Sequence, residues 1–252
     1  MEPILDVRHV TKIYRKNDGQ SVTALDHVSF LLQSREVLGI AGESGSGKST
    51  TAKVILGLTA PTEGSILLEG REISSLRGRQ QREVYRSIQM VFQSPAGSFD
   101  PRRTLGFSIG ESLRNAGMPK SDVKKRVNEL LSQCGLTEDF AARYPHEVSG
   151  GQCQRAAVAR ALAAEPRILI CDEATSALDV TVQKQLMDLL RTLKAQHGLS
   201  ILFISHNLAL MQDFCDRILI MKNGRIVESG PTDQVLTNPK DACTKSLIES
   251  VL

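Results

Sequence analysis

Three short stretches of the chain carry residues whose types and spacing suit phosphate chemistry. "GESGSGKST", Gly42 to Thr50, has the form Gly-x-x-x-x-Gly-Lys-Ser and lies between the apolar run "VLGIAG" and the helically spaced "TTAKVILGL". Gly42, Gly45 and Gly47 let the backbone bend so that successive N–H groups face one anion. Lys48 brings a full positive charge to the β and γ phosphates, and Ser49 is placed to ligand Mg²⁺. Ser44 and Thr50 complete the nucleotide-binding set of this loop. The alternative is a glycine-rich turn between strand and helix that holds nothing. A second cradle is "VSGGQ", where Ser149, Gly150, Gly151 and Gln152 stand at the head of an alanine-rich helical stretch. Unpaired N–H groups and the helix dipole favour an anion at such a start. The third stretch is "RILICDE", in which an apolar strand delivers Asp172 to its C-terminal end, where open α/β sheets bind ligands. Asp172 could hold Mg²⁺ through its hydration water, and Glu173, one residue on, could contact an attacking water. An acidic pair at an ordinary strand end is the competing reading.

Strands and helices must alternate to place these groups. Strand-like runs recur at "ILDVRHV", "HVSFLLQ", "EVLGIAG", "GSILLEG", "IQMVFQ", "RILICDE", "SILFISH", "RILIMKNG" and "GRIVESG", several followed by helical patterns. That order predicts an α/β fold with a largely parallel central sheet. "RILICDE" and "SILFISH" are apolar throughout and should be covered on both faces. The first seventy or so residues read as short strands separated by turn signals such as "KNDG" and "PTEGS", which predicts a small flanking antiparallel sheet. Strand signals vanish between about Ser94 and Gln152. There "SDVKKRVNELLSQCGL" spaces Val123, Val127, Leu130, Leu131 and Cys134 as on one helix face, with Ser121 or Asp122 as the expected cap. The expected division is an α/β core with its antiparallel flank over residues 1–92 and 153–230, a helical insertion over 93–152, and a short helical tail over 231–252.

Composition narrows the classes. The chain has 252 residues, 41% of them hydrophobic, enough for a sizeable buried core. Its 31 basic and 28 acidic residues leave a net charge of only +3, which gives no strong electrostatic case for nucleic acid or a membrane surface. Five scattered cysteines form no C-x-x-C pair, so neither a zinc site nor a disulfide framework is expected, and a reducing cytosol fits best. No apolar run approaches the 18 or more residues of a membrane span, and no signal sequence opens the chain.

Taken together, Gly42–Ser49, "VSGGQ" at Val148–Gln152, "ILICDE" ending at Glu173, "SALD" at Ser176–Asp179 and "SHN" around His206 resemble an ABC-type ATPase, in the order and approximate spacing of that family. The resemblance covers nearly the whole chain and adds Gln93, after "IQMVF", as the family's glutamine loop. It implies a P-loop NTPase fold with a RecA-like core, with ATP and Mg²⁺ as cofactors. It further implies Glu173 as general base, His206 as a γ-phosphate ligand, Gln93 as a sensor of Mg²⁺ and water, and Asp179 at a dimer interface. Tyr14 resembles the aromatic that stacks on adenine in this family, though taken alone a tyrosine there is more often an ordinary packed residue. ABC ATPases form head-to-tail dimers, so Ser149, Gly150 and Gly151 would meet the γ phosphate held by the partner's P-loop. Implied partners are permease subunits, a second ATPase subunit and, indirectly, an extracellular substrate-binding protein. Nucleic acid is not implied, and the place of action is the cytoplasmic face of the membrane.

"VFQSPAGSFDPRRT", Val91 to Thr104, resembles a phrase of the peptide and nickel importer branch, with Ser98, Phe99, Asp100, Pro101 and Arg102 in a Ser-Leu-Asn-Pro-Arg segment. Peptides are the first expectation and nickel the second. Val148 stands for the usual leucine and Asn207 for a common aspartate. Asp241, Ala242 and Cys243 replace a typical His-Pro-Tyr, leaving open how the C-terminus docks, and an iron–sulfur cluster there is not expected. Soluble ABC ATPases of DNA repair carry a long coiled coil between P-loop and signature, translation-associated ones join two cassettes, and a metabolic P-loop kinase would make "SGGQ" and "SALD" coincidences. None of these patterns fits as well.

Overall fold

The computed structural model describes residues 3–15, 19–175 and 178–249. The chain forms two compact units, one from Met1–Tyr85 with Ser200–Leu252, the other from Arg86–Leu199.

The first unit opens with β1 (Leu5–Arg15) and β2 (Ser21–Leu32), long antiparallel strands whose register shifts between Val7 and Val10 and again around Lys12. His9 (φ +48°) and His27 (φ +52°) sit at these irregularities. A bulge interrupts the in–out alternation, so the sequence pattern fades after "ILDVRHV" although the strand continues through Tyr14. Next come β3 (Val37–Ala41), α1 (Lys48–Ile55), β4 (Glu63–Leu68), the short β5 (Arg71–Glu72), and α2 (Arg79–Ser87), which leads out of the unit. β2-β1-β4-β5 make the expected antiparallel sheet. Residues 16–18, which include most of the expected turn "KNDG", lie outside the described residues.

The second unit begins with β6 (Ile88–Val91) and contains α3 (Leu105–Ile109), α4 (Glu111–Asn115), α5 (Lys120–Gln133), α6 (Gly150–Leu162), β7 (Ile168–Asp172) and α7 (Val180–His197). β6 and β7 pair in parallel. One expectation needs correcting. α5 starts at Lys120 with Pro119 as its N-cap, and neither Ser121 nor Asp122 caps it; the Ser121 hydroxyl instead donates to the Asp122 carboxylate at 3.1 Å. Proline's preset φ suits a helix entry, so the helix begins before the conventional capping residues. Val123, Val127, Leu130 and Leu131 are buried along α5 as their spacing predicts. α6 buries Ala156, Ala157, Ala159 and Ala161 together with Val158, small side chains that let neighbours pack close around it.

The chain then returns to the first unit through β8 (Ser200–Ile204), α8 (Leu208–Phe214), β9 (Arg217–Lys222), β10 (Arg225–Pro231), α9 (Thr232–Thr237) and α10 (Ala242–Glu249). β3 lies between β8 and β9 and runs parallel to both. All five residues of β3, and all five of β8, are buried, which accounts for their unbroken apolar character. α8 covers this sheet closely: a Cβ on Gly39 would lie 3.0 Å from the Cys215 sulfur. Despite the departure at Asp241–Cys243, the tail has a defined seat. The Glu228 carboxylate accepts the N–H groups of Lys240 (2.9 Å) and Asp241 (3.1 Å) just before α10. Among the described residues no helix is long and apolar enough to cross a membrane.

Candidate functional site

β3 ends directly in the first phosphate loop. Gly42 has φ +151°, and a Cβ there would stand 2.2 Å from the Met221 carbonyl oxygen. Gly47 has φ +110°, and its Cβ would stand 2.7 Å from the Ala24 carbonyl oxygen. Only glycine fits either position. Gly47 is also the N-cap of α1 and has no side chain to cap it. The first turn of α1 therefore presents backbone N–H groups, the usual seat of a phosphate. Lys48 opens that helix, is buried, and donates from Nζ to the carbonyls of Gly42 (2.7 Å) and Glu43 (2.8 Å). Its ammonium is thereby held against the loop backbone. Ser46, which sequence reasoning did not single out, buries its hydroxyl in the same loop with no hydrogen-bond partner among the described residues. A close-approach loop with a buried cation and an uncapped helix start fits a nucleotide's phosphates.

In the second unit β7 is buried over all five residues and carries Asp172, itself buried, to its end. Glu173 leaves the strand with φ +46°. A left-handed non-glycine residue stores about 1–3 kcal/mol of strain, and such residues cluster at functional sites. Its Oε2 accepts a hydrogen bond from Gln93 Nε2 at 2.8 Å. Two residues expected to act on water, 80 positions apart in sequence, thus meet. With Nε2 engaged, the atom through which Gln93 could meet a cation is its amide oxygen. Within this unit, an amide oxygen and the Asp172 carboxylate are oxygen donors of the kind Mg²⁺ prefers. The Cys171 thiol beside them is pushed up to about 12, first by burial and then by the Asp172 charge, and stays protonated.

His206 follows β8 and is exposed. The chain after it is fixed by two short bonds: Ser205 Oγ accepts from the Asn207 N–H (3.0 Å), and Asn207 Oδ1 caps α8 by accepting from the Leu210 N–H (3.2 Å). Asparagine and aspartate cap equally well, which explains why the departure at Asn207 is harmless to this turn. Tyr14 lies in β1, 39% exposed, with the Lys12 ammonium 5.0 Å from its ring centroid.

The second glycine pair is organised by α6. Ser149 and Gln152 form a reciprocal capping box: Ser149 Oγ accepts from the Gln152 N–H (3.3 Å), and Gln152 Oε1 accepts from the Ser149 N–H (3.0 Å). Gly150 and Gly151 lie between these anchors. A Cβ on Gly151 would come within 2.5 Å of Val182 Cγ1, whereas one on Gly150 would meet, among the described residues, Leu178 Cδ2 at 3.9 Å. Arg155, one turn on, donates to Gln185 Oε1 at 2.7 Å. A cavity of about 340 Å³ lies here, with Ser149, Gly151, Gln152 and Arg155 in its wall. Asp179 caps α7, accepting from the Val182 N–H at 3.0 Å. Ser176 and Ala177 of "SALD" lie outside the described residues. Sequence reasoning also passed over Arg160, which stacks on Phe99 and binds Ser98; one arginine in an alanine-rich helix gave no signal.

A glycine-built phosphate loop, a strand-end Asp-Glu pair and a glycine pair heading a second helix define an ATP-binding cassette on a P-loop NTPase fold, and the chain belongs to the ABC transporter family, whose model matches residues 25–176. It is an ATPase whose ATP hydrolysis is coupled to transport. Among its relatives, the oligopeptide transport ATP-binding protein OppF of Salmonella typhimurium strain LT2 is 44% identical over 92% of this chain and 70% of its own length. The glutathione import ATP-binding protein GsiA of Salmonella paratyphi A is 43% identical over 99% of this chain, which spans 41% of that protein. Among solved structures, the dimeric post-hydrolysis state of the ATP-binding cassette MJ0796 bound to ADP and Pi has a TM-score of 0.83 at 31% identity, covering 90% of this chain and 98% of that one. CbiO1 of Clostridium perfringens, part of the ABC transporter complex cbiONQ, also reaches 0.83 at 29% identity, covering 100% and 95%.

Proposed function

We propose that this chain is the ATP-hydrolysing subunit of a peptide importer, acting at the cytoplasmic face of the membrane on permease subunits and paired with a second ATPase subunit. The Gln93–Glu173 contact at a strained strand end carries the hydrolytic part of this reading. The relatives named for oligopeptide transport and glutathione import support peptides as cargo. None of the relatives named above concerns nickel, DNA repair or translation.

Lys48 and the N-terminus of α1 bind the β and γ phosphates, and Tyr14 stacks on the adenine. Glu173 takes the proton of the attacking water, with Gln93 orienting its carboxylate. His206 bonds the γ phosphate. Ser49, Asp172 and the Gln93 amide oxygen hold Mg²⁺, which when bound neutralises charge on the phosphoryl oxygens. Residues 93–152 act as the helical signature subdomain, and Ser149, Gly150 and Gly151 contact the nucleotide of the partner ATPase. The dimeric state of the related cassette supports that pairing.

The test is uptake of a labelled oligopeptide by cells carrying Glu173→Gln. Removing a general base costs about 10²–10⁴-fold in rate, so hydrolysis and peptide uptake should both fall at least a hundredfold. Wild-type hydrolysis in that variant removes Glu173 as the base. Loss of nickel uptake with peptide uptake intact overturns the cargo.

A further inference from the structure

α6 touches two functional segments with its two ends. At its start the Ser149–Gln152 capping box fixes the signature glycines. Eleven residues later, roughly 16 Å along the axis at 1.5 Å per residue, Arg160 turns toward the segment that follows Gln93. Its guanidinium donates to the Ser98 carbonyl oxygen and, at 3.0 Å, to Ser98 Oγ, and lies over the Phe99 ring at 4.4 Å from the centroid. Ser98 Oγ donates in turn to the Pro95 carbonyl at 2.7 Å, and Phe99 is buried. Five residues upstream of Ser98, Gln93 makes its 2.8 Å bond to Glu173.

We infer that Arg160 is a positioning residue for hydrolysis: by gripping Ser98 and Phe99 it sets where Gln93 meets Glu173 and ties that contact to the helix bearing the signature glycines. The geometry demands arginine in particular. The planar fork donates to two oxygens of one residue while its face stacks on an aromatic ring, and lysine, a point charge on a flexible stem, cannot do all three. α6 is a single uninterrupted helix, so a displacement at its N-terminus reaches Arg160 without a hinge between. Contact at the signature glycines is thereby felt at the water-handling pair. The inference rests on the proposed hydrolytic roles of Gln93 and Glu173.

The experiment is a double-mutant cycle on ATP hydrolysis by the assembled transporter, with Arg160→Lys, Gln93→Ala and both together. Arg160→Lys should lower kcat about tenfold while KM for ATP stays within about twofold. Because both substitutions act through one contact, the double variant should be no slower than Gln93→Ala alone. Ser98→Ala, which removes the hydroxyl that accepts from Arg160 and donates to the Pro95 carbonyl but keeps the Ser98 carbonyl contact and the stacking on Phe99, should show the same pattern with a loss of about threefold. Its result stands in if Arg160→Lys lowers the melting temperature. Penalties that multiply in the cycle, or wild-type kcat in both Arg160→Lys and Ser98→Ala, overturn the inference. Glu173→Gln in the same preparations separates the two levels: wild-type hydrolysis there sinks the underlying reading, whereas an inactive Glu173→Gln beside fully active Arg160→Lys and Ser98→Ala sinks only the role of Arg160.

Discussion

The two glycine-bearing loops are built on opposite principles. In Gly42–Ser49 the chain itself demands glycine: Gly42 and Gly47 have positive φ, and a Cβ on either would strike a carbonyl oxygen of the same unit. In Val148–Gln152 the backbone is ordinary. Ser149 has the extended geometry of a common N-cap, and α6 proceeds regularly from Gly150. There Gly151 has an internal reason to lack a side chain, its contact with Val182, while among the described residues a Cβ on Gly150 would meet Leu178 Cδ2 at an unstrained 3.9 Å. The difference fits the proposal that each loop's ligand comes from a different molecule. The first is closed in on its site by its own fold and holds its cation, Lys48, against its own carbonyls. The second is rigidly capped yet sterically open at Gly150, the form expected of a surface that meets something carried by another molecule.

Substitutions should sort the same way. Gly47→Ala has the largest expected effect, because it combines a disfavoured φ with a backbone clash that no side-chain movement relieves. It should cost about 3 kcal/mol of stability and abolish ATP binding by the isolated chain, checked by denaturant unfolding and nucleotide titration. Gly151→Ala is expected to be intermediate. The obstructing atom is a methyl of Val182, but a β-branched side chain on a helix has one strongly preferred rotamer, so the clash is relieved mainly by shifting α7 against α6. About 1–3 kcal/mol should be lost, with ATP binding by the isolated chain retained. A Gly151→Ala variant as stable as the wild type would show that the internal packing reason for this glycine is wrong.

What the sequence made legible follows from range. The phosphate loop, the strand-end carboxylates and the buried runs of β3 and β8 are written in contiguous residues, because each depends on local backbone geometry or on burial of one strand. The start of α5 was misplaced because serine and aspartate are the stronger textual signal, while the proline just before them supplies the entry. Long-range pairings left no trace: Gln93 with Glu173 spans 80 residues and Arg160 with Ser98 spans 62. The left-handed backbone of Glu173 is equally silent, since glutamate carries no preference for it. Gln152, read as part of the second cradle, and Asp179, placed by the family resemblance at a dimer interface, also turn out to cap α6 and α7, a role local enough to have been read from their positions before helical runs.

Gly150→Leu should have the smallest effect on the fold and decides the comparison most directly. The position is the first of α6, its φ is not in the left-handed region, and among the described residues outside the helix's own backbone the nearest atom to an added Cβ is 3.9 Å away. Leucine is a better helix former than glycine, so stability should stay within about 0.5 kcal/mol of the wild type. ATP binding by the isolated chain should be unchanged, because the phosphate loop is untouched. Dimer formation on adding ATP, followed by light scattering in the Glu173→Gln background so that nucleotide is not consumed, should disappear, and steady-state hydrolysis by Gly150→Leu alone should disappear with it. If the isolated chain instead loses ATP binding, the open face of Gly150 serves this chain's own nucleotide, and the contrast between an internally built loop and an outward-facing one collapses. If dimerisation survives the leucine, the space beside Gly150 is not where the second molecule enters.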